Sequence, residues 1–110
     1  MDRKKLIREY REKRPQMGIY ALKSGVTKIS YIGWAKDLRA ALNRHSFWLG
    51  TGVHDNKELL GDWNANKDAF EMVTLEILEY SEKNSNRDYT EDLKALLELW
   101  TEKIDKVVIL

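Results

Sequence analysis

Four side chains in this sequence have the chemistry for proton handling near neutral pH or for gripping an anion through a hydroxyl or an imidazole. They are Tyr20, Tyr31 and the two histidines of the chain, His45 and His54. Two histidines with no third ligand do not make a zinc site. The absence of cysteine excludes thiolate ligands and disulfides. Three cations stand close by in the sequence. Lys36, Arg39 and Arg44 form either a solvated helix flank or, acting together, a phosphate grip. Trp34, if exposed, offers a face on which a base can stack; if buried, it fills space beside the site. Each residue also has a plain structural reading. The tyrosines can be cross-strand neighbours, His45 a helix histidine favoured by the dipole, and His54 a loop histidine.

The elements that would position these residues follow from periodicity. Met17–Lys23 and Ile29–Ala35, joined across Ser24-Gly25, predict an antiparallel hairpin carrying the two tyrosines. Asp37 starts a helix on which Leu38, Ala41, Leu42, His45 and Leu49 recur at helical spacing, and Gly50 and Gly52 close it. Asp55, with Glu58 three residues on, predicts the cap of a second helix bearing Leu59, Leu60 and Trp63. Phe70–Glu79 is apolar on both sides, which predicts a strand central in its sheet. Tyr89–Ile104 repeats apolar residues at i, i+3 and i+4 and predicts the last long helix. The expected architecture is α/β of the α+β kind, a small three-stranded antiparallel sheet flanked by helices. It spans residues 17–104. A charged helix at 1–14 precedes it, and an apolar tail at 105–110 ends in Val107–Leu110, a strand, a packed tail or a homodimer contact.

The chain has 110 residues and a net charge of +1. That fits one domain with one modest core. Residues 1–14 carry the positive excess, and the remainder is net negative, so phosphate affinity would have to come from a local patch. No apolar run approaches membrane-spanning length and no signal-like segment opens the chain, so a cytoplasmic setting with no membrane partner is expected.

Two tripeptides add a stronger signal. Gly18-Ile19-Tyr20 lies in the first strand and Tyr31-Ile32-Gly33 in the second, and Lys36-Asp37-Leu38 opens the following helix. In this arrangement the chain resembles the GIY-YIG endonucleases, in particular small stand-alone bacterial members. The resemblance covers roughly residues 17–104 and extends to His45, His54, Trp63-Asn64 and Leu99-Trp100. It implies DNA phosphodiester hydrolysis with Mg²⁺ or Mn²⁺. It also implies Tyr20 as general base, Tyr31 and His45 as orienting groups, an arginine stabilising charge on the phosphate, and one glutamate on the last helix holding the metal.

Two of those positions are changed. The arginine position is Ala41; Arg44 lies about 60° round the helix from it and Arg39 about 200°. The glutamate position is Leu97, and its neighbour Glu98, the candidate metal ligand, is rotated by about 100°. The expected site is therefore Tyr20, Tyr31, Arg44 and His45, with Lys36, Arg39, Trp34 and His54 as nucleic-acid contacts, and with activity weak or lost. A non-catalytic nucleic-acid-binding module and a protein-interaction or regulatory module on the same fold are the alternatives.

Overall fold

A computed structural model describes residues 14–81 and 87–110. The expected helix at 1–14 lies almost wholly outside the described residues. In chain order the elements are β1 (Met17–Ser24), β2 (Ser30–Ala35), α1 (Leu38–Thr51), α2 (Lys57–Asn66), a short 3-10 turn (Lys67–Ala69), β3 (Phe70–Leu78), α3 (Thr90–Lys103) and β4 (Val107–Ile109).

The hairpin forms as its turn chemistry dictates. β1 and β2 pair antiparallel, with Tyr20 opposite Gly33 and Leu22 opposite Tyr31. The rest of the sheet corrects two expectations. Its strand order is β3-β1-β2-β4, so the sheet has four strands and is mixed, and β1 rather than β3 is interior. The apolar tail supplies the fourth strand by pairing parallel to β2, with Tyr31 opposite Val108. A bond from the Leu110 N–H to the Ile32 carbonyl, 2.8 Å long, ties down its end. The Val107–Leu110 segment is thus consumed within its own sheet. β3 read as central because both its faces are covered. Phe70 and Met72 pack on one side and Val73 and Leu75 on the other, yet one edge of the strand has no partner strand among the described residues. Coverage by helices mimics centrality.

Side-chain alternation along β1 sorts the core into two layers. Tyr20 and Leu22, with Tyr31 and Ala35 of β2, face α1 and α2 and pack with Leu38, Ala41, Leu49 and Leu59. Ile19 and Ala21, with Ile32, face α3 and pack with Leu97. The register between β1 and β3 slips between Ile19 and Tyr20, where Leu75 is the extra residue of a bulge. Gly18, opposite Ile77 and one pair beyond the bulge, has no room for a side chain, since a Cβ there would lie 2.0 Å from the Glu76 carbonyl oxygen.

The helix ends show how local chemistry sets boundaries. Asp37 caps α1 by accepting the Ala40 N–H at 3.1 Å, and Gly52, in the left-handed region at φ 74°, closes it. Gly50 lies inside the helix. For α2 the cap is Asn56, whose side-chain oxygen accepts the Leu59 N–H at 3.0 Å; the expected Asp55 stands one residue too early. Asn56→Ala should therefore destabilise the domain by about 1 kcal/mol, and Asp55→Ala by less than about 0.5 kcal/mol. Urea unfolding of the two variants measures this, and the reverse ranking would refute the assignment of the cap.

Candidate active site

Tyr20 projects from the centre of β1 toward α1. Its ring lies over the strand position occupied by Gly33, where a Cβ would come within 2.6 Å of the Tyr20 hydroxyl. Any larger residue at 33 would displace the ring. The cleared space lets the Tyr20 Oη reach the Nε2 of His45, 2.6 Å away. His45 sits in the middle of α1, on the buried stripe with Leu38, Ala41 and Leu49. Its other ring nitrogen, Nδ1, is 2.8 Å from the Nε2 of His54. His54 is in turn held through its Nδ1, which accepts the peptide N–H of Asn56 at 3.0 Å. Trp48 sets its ring nearly perpendicular to both imidazoles. Arg44 lies over the outer part of the same indole, 5.6 Å from the ring centroid.

Burial governs the protonation of this cluster. Desolvation pushes the Tyr20 hydroxyl up to about 12, against the pull of the Arg44 charge. His45 is pushed down to about 4, first by burial and then by His54 and Arg44. His54 is also lowered, with burial the largest cause. At neutral pH the cluster is a phenol and two neutral imidazoles.

Tyr31 shares the Tyr20 face of the sheet but its hydroxyl turns to a different partner. It donates to Asp62 Oδ2 at 2.8 Å. The same carboxylate receives Thr27 Oγ1 at 2.7 Å, Ser24 Oγ at 3.1 Å and the Asn66 amide at 2.8 Å. Burial works to raise the Asp62 pKa, but its hydrogen bonds outweigh that and leave it lowered. Burial, followed by the bond to Asp62 and its charge, raises Tyr31. Tyr31 is thus a strut of the hairpin, tied to α2, and its hydroxyl does not join the Tyr20–His45 pair. Asp62, Ser24, Thr27 and Asn66 escaped the sequence reading. The available signal was a polar pair, Asp62 and Asn66, on the apolar stripe that Leu59 and Trp63 define along α2.

The remaining candidates divide. Arg44 is exposed but acts electrostatically on Tyr20 and His45, and Arg39 is exposed on α1. Lys36 follows β2 and pairs with Asp88 at 3.3 Å. His54, expected as a nucleic-acid contact, is instead buried behind His45. Trp34 is half-buried and packs with both Ile19 and Met17, on the α3 side of the sheet, so it offers no stacking platform beside Tyr20. Glu98 is exposed on α3, and Leu97 beside it is committed to the core against Ile19, Ala21 and Ile32. These core residues alternate with Tyr20 and point away from it.

A divalent cation is what the resemblance implies, and the donor set fits it poorly. Such ions prefer oxygen ligands, whereas both nitrogens of each imidazole already have partners. Asp62 spends both oxygens on four donors. The charges that bear on Tyr20, Tyr31 and His45 are those of Arg44, His54, Asp62 and Glu58, none of them on α3. Among the described residues no three His, Cys, Asp or Glu side chains group as metal ligands.

A mixed sheet with α1–α2 on one face and α3 on the other, carrying a tyrosine–histidine pair beside an arginine, is a nuclease-like α+β domain. Solved structures with this fold include the catalytic domain of the homing endonuclease I-TevI. It aligns at a TM-score of 0.65 with 26% identity over 80% of this chain and 87% of that one. A mutant of the catalytic domain of intron endonuclease I-TevI aligns at 0.65 and 25% identity, over 81% and 84% of the two chains. No family profile and no curated protein matches. The structural matches and the paired tripeptides place the chain in the GIY-YIG superfamily. None of the described helices is long and apolar enough to cross a membrane.

The depressed His45 pKa makes stability depend on pH. An unfolded chain takes up the proton below about 6.5, and the folded protein not until about 4. Stability from this group is therefore full above pH 6.5 and is lost as the pH falls toward 4, by on the order of 2 kcal/mol. Urea unfolding at pH 7.5 and 4.5 should show this loss in the wild type and a smaller one in His45→Gln. Identical pH slopes in the two proteins would contradict it.

Proposed function

We propose that this domain engages the phosphodiester backbone of DNA through Tyr20, His45 and Arg44, and that its hydrolytic activity is weak or lost. The observation that carries the reading is the Tyr20–His45 hydrogen bond, built across Gly33 in a domain similar to a homing endonuclease catalytic domain. The exposed Arg44 guanidinium, whose charge reaches the buried Tyr20 hydroxyl, suits a phosphate, which accepts from both groups. Arg39, and Lys36 farther along, extend the positive margin of the site and would add backbone contacts in a cytoplasmic DNA-handling role.

The weakness of cleavage follows from two residues. Ala41 is buried in the core where the family places a charge-stabilising arginine, and Leu97 is buried where it places the metal-holding glutamate. Arg44 recovers part of the first function from the next turn of α1. The second has no substitute in the donor set described above. Loss of one charge-stabilising donor typically costs about 100- to 1000-fold in rate, so cleavage with Mg²⁺ or Mn²⁺ is expected at trace level or below detection.

Filter binding and a sensitive cleavage assay on single-stranded, duplex and branched DNA test the proposal together. Binding should fall steeply with salt, and Arg44→Ala should weaken it and reduce the salt slope by about one phosphate contact. Binding indifferent to salt and to Arg44→Ala would overturn the proposal. Robust cleavage unchanged by Tyr20→Phe would overturn the assignment of the site.

A further inference from the structure

The chain of hydrogen bonds behind Tyr20 has a direction, and a backbone group sets it. A peptide N–H can only donate. At 3.0 Å from His54 Nδ1, the Asn56 amide requires that nitrogen to be an unprotonated acceptor. In a neutral ring the proton then sits on Nε2, which faces His45 Nδ1 at 2.8 Å and donates to it. His45 Nδ1 is thereby an acceptor too, and the His45 proton must be on Nε2, facing the Tyr20 oxygen at 2.6 Å. The opposite order fails at its last link. If Tyr20 donated to His45, then His45 Nδ1–H would donate to His54 Nε2, and His54 would carry its proton on Nδ1, against the Asn56 N–H. A doubly protonated ring at either position likewise sets two donors face to face, in agreement with the burial that keeps both imidazoles neutral.

We infer that His54, fixed by the peptide N–H of Asn56, is a positioning residue that locks His45 as a donor to the Tyr20 oxygen, so that the Tyr20 hydroxyl, itself almost wholly buried, keeps its own proton for an acceptor other than the imidazole. This assignment rests on the phosphodiester-binding function proposed above for the last link only. It reverses the base role that the family resemblance implies for Tyr20. With His45 Nε2 already protonated, the imidazole pair cannot take the phenol proton. Tyr20 is instead a hydrogen-bond donor to a phosphate oxygen, and the His45 N–H sharpens it by polarising the phenol from behind. The direction also explains why a buried second histidine lies behind the first. Without it, His45 Nδ1 would be a buried nitrogen with no partner, and nothing would choose between its tautomers.

The test is the tautomer state of the two rings, read by long-range proton–nitrogen correlation NMR on the ¹⁵N-histidine-labelled full chain at pH 7.5. Both rings should carry their proton on Nε2. In His54→Ala the His45 signal should move to a tautomer mixture. In His54→Gln, whose amide can accept from Asn56 and donate to His45, it should return to the Nε2–H form. A proton on Nδ1 of His45 in the wild type, or a His45 signal indifferent to His54→Ala, overturns the inference. The Tyr20 donor is read separately by titrating a short DNA duplex. Tyr20→Phe should weaken binding by roughly tenfold or more, and equal affinity overturns the donor link. Should the wild type bind no DNA while the tautomers stand as stated, the proposed function fails and the direction of the relay survives.

Discussion

A phenol can reach 2.6 Å from an imidazole on a neighbouring helix only if the strand position beside it is empty. In this domain that space is the missing side chain of Gly33. The tyrosine ring lies across the adjacent strand instead of standing off it, and the distance from sheet to α1 is set by that ring. His45 then falls on the stripe of α1 that already packs Leu38, Ala41 and Leu49. His54, Trp48 and the start of α2 are arranged around the imidazole. The two glycines of the paired tripeptides thus serve close approach. Gly33 admits a ring, and Gly18 admits the β3 backbone beside the bulge.

The same packing fixes the two positions on which the proposed loss of activity rests. Ala41 and Leu97 are core residues here, one in each layer. A small side chain at 41 lets α1 close on Tyr20. An apolar one at 97 lets α3 close on Ile19, Ala21 and Ile32. Neither position carries a charge that would need solvent or a ligand. The buried carboxylate of Asp62 is spent wholly on structure. It ties the hairpin turn, Tyr31 and the C-terminal part of α2 into one unit.

Much of this was legible in the letters. The hairpin, α1 and α3 follow from periodicity and glycine placement; the resemblance named Tyr20, Tyr31 and His45 as one site, and of these the structure joins only Tyr20 and His45. Other features were not legible, for identifiable reasons. β4 is a short apolar run whose partner strand, β2, is set by tertiary structure alone. β3 carries the pattern of an interior strand because helices cover both its faces. Asp55 and Asn56 are both good caps, and only the backbone path decides between them. Tyr31 and Tyr20 look equivalent in sequence, and Asp62 separates them. His54 reads as an exposed loop histidine, since nothing in its neighbours reveals that the Asn56 amide holds it inward. The position of Trp34 depends on which face of β2 the register turns inward.

The Tyr20–His45 pair depends on the cleared position at Gly33, and one measurement tests that directly. The proton shared between His45 and Tyr20 should appear in the wild-type proton NMR spectrum as a downfield imidazole N–H, protected from exchange by burial. In Gly33→Ala that resonance should vanish or move upfield as the ring is pushed aside, because the added Cβ would meet the hydroxyl at 2.6 Å. A Gly33→Ala protein that keeps the resonance at its wild-type position would contradict the central claim.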